Sequence, residues 1–251
     1  VSSRTLGNIT IPLPPVNEQR RIVAKIEALS DRSQKVRAAL AGVPTLIDQI
    51  RQSVLAEAFR GDLTADWRKQ HPNVEPADKL LERIRIERPH KWEEAEYEKF
   101  SHGTKEQFKK KTGKYKEPIE INKSSLPALP SNWAWTTLDL LTYFTVDYRG
   151  RTPPKVTQGI PLISSAAVKH DHIKTGVSGF VTKDVYESWI TRGLPSAGDL
   201  IITTEAPVGE AAIFPKDENY LLSRRVFACK TVWVNNRYLM HSIYSPTARQ
   251  H

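Results

Sequence analysis

Side chains that donate hydrogen bonds to polyanions are concentrated in four short segments between residues 141 and 251. Arginine and lysine bind phosphate oxygens or the edge of guanine, serine and threonine pair with several bases, and glutamate accepts from the amino group of cytosine. The candidates are Arg149, Arg151 and Lys155; Ser164, Ser165, Lys169, His170 and His172; Thr204 and Glu205; and Arg224 and Arg225. The alternative for each segment is a surface loop with solvated charges. Trp189 and Trp233 lie in apolar patterns and are predicted to be core residues rather than stacking platforms.

Motifs of catalysis and cofactor binding are missing from the sequence. There is no GxxxxGK[ST] phosphate loop, no GxGxxG between a strand and a helix, no amino-methyltransferase motif and no GxSxG nucleophile motif. The single cysteine excludes thiolate zinc sites, and His170 and His172 lack an evident third metal ligand. Asp199 and Glu205 bracket a strand-like run without the clustered carboxylates and lysine of a nuclease. We therefore predict a chain that is not an enzyme and holds no cofactor and no metal.

Composition indicates a soluble protein with a polyanionic partner. The chain has 251 residues, 39% of them hydrophobic and 26% charged, and a formal net charge of +9. The excess of basic residues is +4 in residues 1–90, +1 in residues 91–140 and +4 in residues 141–251, so the charge is placed on folded surfaces rather than in a tail. No apolar run is long enough for a membrane helix, and a lone Cys229 fits a reducing compartment. We therefore predict a cytoplasmic location without membrane contact.

One apolar pattern dominates residues 17–62, which we predict to form a long helical spacer. Alternating steps of four and three residues from Ile22 reach ten positions, and nine of them are apolar. Such a repeat is typical of a coiled coil, so pairing with a partner helix is favoured over packing on the chain's own core. Gly42 and Pro44 predict a break near residues 41–44, and Gly61 predicts the helix end. The nine apolar residues, called the seam below, are Ile22, Ile26, Leu29, Val36, Leu40, Val43, Ile47, Ile50 and Val54.

The other segments differ in composition from the helical spacer. Residues 1–16 contain three prolines close together and are predicted to be extended. The composition of residues 63–125 predicts charged helices, broken at Pro89, followed by a lysine-rich linker. Residues 126–251 show short strand-like runs separated by Gly, Pro and Asn. The predicted fold class is therefore α+β, with a long coiled-coil-type helix joined to a mixed, largely β domain.

Three motifs resemble the specificity subunits of type I restriction–modification systems. Residues 11–19 (IPLPPVNEQ) resemble the turn that leads from a DNA-reading domain into a long helix. Residues 52–68 (QSVLAEAFRGDLTADWR) resemble the exit of that helix, and residues 129–138 (LPSNWAWTTL) resemble the opening of a target-recognition domain. The three motifs occur in the order that they have in the family.

The resemblance implies sequence-specific recognition of double-stranded DNA by residues 126–251, which would be a target-recognition domain, incomplete at its end. Residues 1–16 would be the tail of a first such domain, and the chain would be a fragment or half-subunit. The helical spacer would dock methyltransferase subunits, and through them restriction subunits, or pair with itself. These partners would supply the chemistry of S-adenosylmethionine, ATP and Mg²⁺. Two alternatives remain open: a fragment of a standalone DNA methyltransferase or nuclease, and a coiled-coil scaffold that binds nucleic acid non-specifically.

Overall fold

The computed structural model describes residues 10–98, 114–122, 126–150, 152–174, 176, 178–216 and 219–249. The predicted DNA contact Arg151 and most of the predicted lysine-rich linker lie outside these residues. The chain divides into two compact units, Val1–Arg51 and Gln52–His251, which are described separately. No helix of the described part of the chain is long and apolar enough to cross a membrane.

The first unit is helical. Residues 10–15 contain no helix, and helix α1 (Val16–Leu40) begins directly after Pro15. Helix α2 (Val43–Arg60) begins after a two-residue break, which confirms the break predicted near residues 41–44. Pro44 is the second residue of α2, where its missing N–H removes no helical hydrogen bond.

The helices of the second unit include one whose extent differs from the prediction. Helix α2 ends before Gly61, whose φ of +87° gives the predicted left-handed C-terminal residue. A short helix, α3 (Ala65–Gln70), precedes helix α4 (Ala77–Glu98). The prediction of two helices broken at Pro89 is wrong, because α4 runs through that residue.

Contacts of Arg88 explain why α4 tolerates a proline. The guanidinium is buried and donates from Nε to the carbonyl oxygen of Thr142 (3.1 Å) and from Nη1 to Tyr115 Oη (2.6 Å) and the carbonyl oxygen of Lys116 (3.0 Å). A proline inside a helix costs about 3 kcal/mol, whereas a hydrogen bond from a charged group contributes about 1.5–3 kcal/mol. These bonds therefore offset part of the local penalty at Pro89, since burial of the guanidinium itself has a desolvation cost.

The β structure of the second unit consists of two sheets and a hairpin. A four-stranded antiparallel sheet has the order β1-β9-β6-β7, and a three-stranded sheet has the order β5-β2-β8, in which β2 and β8 are parallel. Strands β3 and β4 form the hairpin. The strands are β1 (Thr142–Asp147), β2 (Ile160–Ile163), β3 (Val168–Lys169), β4 (His172–Ile173), β5 (Phe180–Val181), β6 (Leu200–Thr203), β7 (Ala211–Ile213), β8 (Leu221–Leu222) and β9 (Val226–Thr231).

Four more short helices are described in the second unit. They are α5 (Leu138–Leu141), α6 (Lys183–Trp189), α7 (Asn236–Ile243) and α8 (Pro246–Arg249). Together with the long helices and the β structure they form the predicted α+β fold, which is confirmed.

Two buried clusters hold the second unit together. One contains Val146, Ile201 and Ala228 from three neighbouring strands, and the other contains Leu200 and Cys229 with Ile84 of α4. Side chains that alternate along a strand reach opposite faces of the sheet, so both faces of the four-stranded sheet are covered. The prediction that Trp233 is a core residue is wrong, because its side chain is exposed beneath the Arg83 guanidinium at 5.7 Å.

Candidate functional site

Strand pairing brings the predicted loops to one end of the four-stranded sheet. Asp147, the last residue of β1, pairs with Phe227 near the start of β9, and Thr203, the last residue of β6, pairs with Val226. Because the strands are antiparallel, the chain leaves β1 and β6 at the end of the sheet where it enters β9. The loop with Arg149, the loop with Glu205 and the turn with Arg225 therefore lie side by side.

The second sheet adds its loop to the same group. Strands β2 and β8 run parallel, and Ile163 pairs with Leu222, so Ser164 and Ser223 leave the sheet together. The N–H of Ser223 donates to the carbonyl oxygen of Ile163 at 2.8 Å. Ser165 Oγ donates to the carbonyl oxygen of Ala206 at 3.3 Å, which joins this loop to the one that follows β6. We call residues 148–155, 164–172, 203–210 and 223–225 the loop end.

The β3–β4 hairpin carries three of the predicted residues. Lys169 pairs with His172 in the hairpin register, and both side chains are exposed. His170 and Asp171 form the turn with φ of 42° and 70°, a left-handed conformation that matches the twist of a two-residue hairpin. The N–H of Asp171 donates to the carbonyl oxygen of Ala211 at 3.1 Å, so the turn is fixed to the start of β7.

Glu210 and Tyr244 support this hairpin, and neither was a predicted site residue. Glu210 Oε2 accepts from the backbone N–H of His170 at 2.9 Å and from the Tyr244 hydroxyl at 3.2 Å. The Tyr244 hydroxyl also accepts from the buried N–H of Ala211 at 2.7 Å. Burial raises the pKa of the Tyr244 phenol, which therefore stays protonated as a donor. No local sequence signal marks these residues, because both act through contacts with distant parts of the chain.

Two of the predicted arginines have a carboxylate partner within the loop end or beside it. Arg149 Nε lies 2.6 Å from Asp147 Oδ2, and Arg225 Nε lies 2.8 Å from Glu205 Oε2. Arg224 is exposed, and the described residues provide no ion pair for it. Arg192, which was not predicted, donates from Nη1 to the carbonyl oxygen of Arg149 at 2.6 Å. Arg149 lies in the turn directly after β1, so its short sequence separation from Asp147 is the signal that could have suggested this pair.

The predicted polar residues differ in their accessibility. Lys155 is exposed, and its aliphatic chain lies over Gly179, where an added Cβ would be 3.5 Å from Lys155 Cδ. Ser164 is half-buried and its hydroxyl lies 2.6 Å from that of Ser178. Thr204 is also half-buried, and its N–H donates to the carbonyl oxygen of Arg225. Ser165 is buried, so its hydroxyl fixes the loop instead of facing solvent.

The chemistry of the loop end is therefore that of a polar binding surface. Among its described residues, Arg149, Lys155, Lys169 and Arg224 are exposed cations, and the side chain of Arg225 is 43% exposed. Within the part of the chain that the structure describes, no group of three or more His, Cys, Asp and Glu side chains is arranged to hold a metal ion. The surface offers charged donors for phosphate oxygens together with side chains that can reach base edges.

Comparisons with known proteins identify relatives of one kind. No protein-family model matches the chain. The specificity subunit of the type I restriction enzyme EcoDI from Escherichia coli is 35% identical over 92 residues, which are 35% of this chain and 21% of that protein. The EcoBI specificity subunit from Escherichia coli is 36% identical over 89 residues (34% and 19%), and the StySPI specificity subunit from Salmonella potsdam is 34% identical over 92 residues (35% and 20%). The resemblance to type I specificity subunits is confirmed, over about a fifth of the length of these relatives.

Two solved structures are also similar. A chain from a study of the assembly and conformational transition of a type I R-M system has a TM-score of 0.49 and 20% identity, and the similarity covers 100% of this chain and 46% of that chain. The HsdS subunit of Thermoanaerobacter tengcongensis has a TM-score of 0.39 and 19% identity, with 93% and 42% covered.

Proposed function

We propose that this chain is a DNA-recognition part of a type I restriction–modification specificity subunit and that it reads duplex DNA with the loop end. The observation that carries the proposal is the convergence of all four predicted segments at one end of the two sheets. Segments that are up to 76 residues apart in the sequence, such as those of Arg149 and Arg225, form one surface there. The curated relatives are named as specificity subunits, which supports a recognition role for this surface.

The loop end combines the two kinds of contact that a specific DNA-binding surface needs. Exposed lysines on separate loops, Lys155 and Lys169, suit phosphates, which fix the register of the protein on the duplex. The arginines suit base edges in the major groove. The backbone bonds that join the loops hold these side chains in place before DNA arrives, so less ordering entropy is lost on binding.

In this proposal, a methyltransferase subunit docks on the two long helices. Each of the nine seam residues is exposed, with exposed fractions from 40% for Val43 to 64% for Ile50. Neither α1 nor α2 contains a buried residue. An apolar stripe at heptad spacing fits a partner helix, either from a methyltransferase subunit or from a second copy of this chain.

Catalysis belongs to the partner subunits in the same proposal. The relatives are named as specificity subunits of restriction enzymes, which supports a recognition role for this chain. Methyl transfer with S-adenosylmethionine would take place on a methyltransferase subunit, and cleavage with ATP and Mg²⁺ on a restriction subunit. Residues 17–62 would form the spacer, residues 63–125 the connection, and residues 126–251 the target-recognition domain. Helix α4 of the connection shares the core of that domain through the buried Ile84 and Ala95.

Reversal of charge at the loop end tests this proposal. We expect Lys169→Glu and Arg224→Glu in the full chain to weaken binding of a fluorescently labelled random duplex, measured by anisotropy over a salt series. Each lost phosphate contact should reduce the salt slope by about one. Lys183→Glu is the matched control, because Lys183 is exposed on helix α6 outside the loop end. Equal affinities and slopes for all three variants would contradict the proposal.

A further inference from the structure

Arg149 and Arg225 share one local arrangement. In each, the Nε atom lies close to a carboxylate oxygen: Arg149 Nε donates to Asp147 Oδ2 at 2.6 Å, and Arg225 Nε forms an ion pair with Glu205 Oε2 at 2.8 Å. Both side chains nevertheless keep much of their surface in solvent, with exposed fractions of 69% for Arg149 and 43% for Arg225. The two arginines are thus held and accessible at the same time.

The backbone at each arginine is also fixed. The N–H of Arg149 donates to Asp147 Oδ1 at 2.9 Å, and its carbonyl oxygen accepts from Arg192 Nη1 at 2.6 Å. The carbonyl oxygen of Arg225 accepts from the N–H of Thr204 at 2.9 Å, next to Glu205. The backbone of each arginine therefore has a defined position at the end of the four-stranded sheet.

The position of the carboxylate decides which edge of the guanidinium remains for a ligand. A guanidinium presents five N–H groups in a rigid fork. A carboxylate bound at Nε occupies one edge and leaves N–H groups of Nη1 and Nη2 at the opposite end. Two parallel donors at that spacing match the N7 and O6 acceptors of guanine in the major groove.

We infer that Arg149 and Arg225 each read a guanine and that Asp147 and Glu205 are positioning residues which hold them for this contact. The inference rests on the proposed function and adds to it the base that the loop end recognises. Arg224, for which the described residues provide no such carboxylate, contacts a phosphate instead. A duplex bound by this chain therefore contains guanine at two positions that depend on different arginines.

Selection from a random duplex library with the full chain tests the inference. We expect the parent chain to enrich duplexes with guanine at fixed positions. Arg225→Ala should reduce the preference for guanine at one of them by roughly 5- to 150-fold, and Arg149→Ala should do so at another. Arg224→Ala should lower the affinity for every duplex alike and reduce the salt slope by about one.

Glu205→Gln separates a positioning role from a structural one. It removes a negative charge that repels phosphates, so the affinity for random duplex should stay equal or rise. The preference for guanine at the Arg225-dependent position should fall by roughly 1.4- to 5-fold, the range for an exposed ion pair. In the Arg225→Ala background the same substitution should not change that preference further. Glu187→Gln, in an exposed i,i+4 pair with Lys183 on α6, is the matched control and should change neither quantity.

The outcomes distinguish this inference from the proposed function. A parent chain that enriches a sequence whose guanine preferences are unaffected by Arg149→Ala and Arg225→Ala would overturn the inference and leave the proposed function standing. A parent chain that enriches no sequence would overturn both. A Glu205→Gln variant with lower affinity for all duplexes and unchanged base preference would show that Glu205 acts only on the fold.

Discussion

Replacement of Tyr244 by phenylalanine should destabilise the second unit through a single unpaired backbone group. The Tyr244 hydroxyl accepts from the N–H of Ala211 and also contacts Glu210 Oε2. Ala211 is fully buried on β7, the last strand of the four-stranded sheet, so water cannot replace the lost partner. Phenylalanine keeps the ring and its packing but leaves the N–H of Ala211 without an acceptor.

The expected loss follows from the cost of a buried donor without a partner. Such a group costs about 1–3 kcal/mol of unfolding free energy. For a domain of about 150–250 residues, each kcal/mol lowers Tm by about 2–4 °C. We therefore expect Tyr244→Phe to lower Tm by about 2–12 °C in thermal unfolding followed by circular dichroism, with a matching loss of free energy in urea.

Tyr238→Phe provides the matched control for this experiment. Tyr238 lies six residues away on helix α7, packs against Phe59 with ring centroids 5.3 Å apart, and is 49% exposed. Its replacement removes a hydroxyl without stranding a buried N–H, so its effect should stay within about 0.5 kcal/mol. If both variants lose equally little free energy, Tyr244 does not satisfy Ala211 in solution and the reasoning fails.

The other predictions concern the helices, the cysteine and catalysis. Replacement of both Ile26 and Ile47 by Asp should abolish self-association or capture by a co-purified methyltransferase subunit, because an apolar contact cannot bury an unpaired carboxylate. Unchanged sedimentation and capture of the double variant would refute pairing through the seam. Burial raises the pKa of the Cys229 thiol to about 12 from an ordinary 9.0. The buried neutral thiol therefore contributes to the free energy of unfolding below pH 9, and this contribution is lost as the pH rises towards 12. At pH 8 a thiol reagent should therefore label Cys229 only in denaturant, and rapid labelling of the folded chain would contradict its burial. The purified chain should transfer no radiolabelled methyl group to DNA and cleave none with S-adenosylmethionine, ATP and Mg²⁺; either activity, free of co-purifying subunits, would refute a pure recognition role.

The helical part of the fold could be predicted where the signals are local. Heptad spacing of apolar residues and the pair Gly42 and Pro44 are enough to predict a long helical spacer with a break near residues 41–44. Pro89 carries an equally local signal, and it misled the prediction. The contacts that keep α4 continuous join Arg88 to Thr142, 54 residues away, and no window of sequence around Pro89 contains them.

The site was predictable as a set of segments but not as a surface. Residue types and turn signals identify loops with Arg149 or with Arg225 from the sequence. Their proximity depends on the pairing of β1 with β9, whose residues Asp147 and Phe227 are 80 positions apart. The support from Glu210 and Tyr244 depends on other long-range contacts, since Glu210 lies 40 positions from His170 and Tyr244 lies 33 positions from Ala211. Only the tertiary structure shows which charges are held by a partner and which are not.

The groups that hold the four-stranded sheet together are separate from the side chains of the loop end. The register of β1, β9 and β6 is held by backbone hydrogen bonds and by buried side chains such as Val146, Ile201 and Ala228. Substitutions in the loops do not alter these groups, and doubling the length of a flexible loop costs only about 0.6 kcal/mol. If the loop end reads DNA as proposed, mutation or recombination of the loops would change the recognised sequence without altering the strands that form the scaffold.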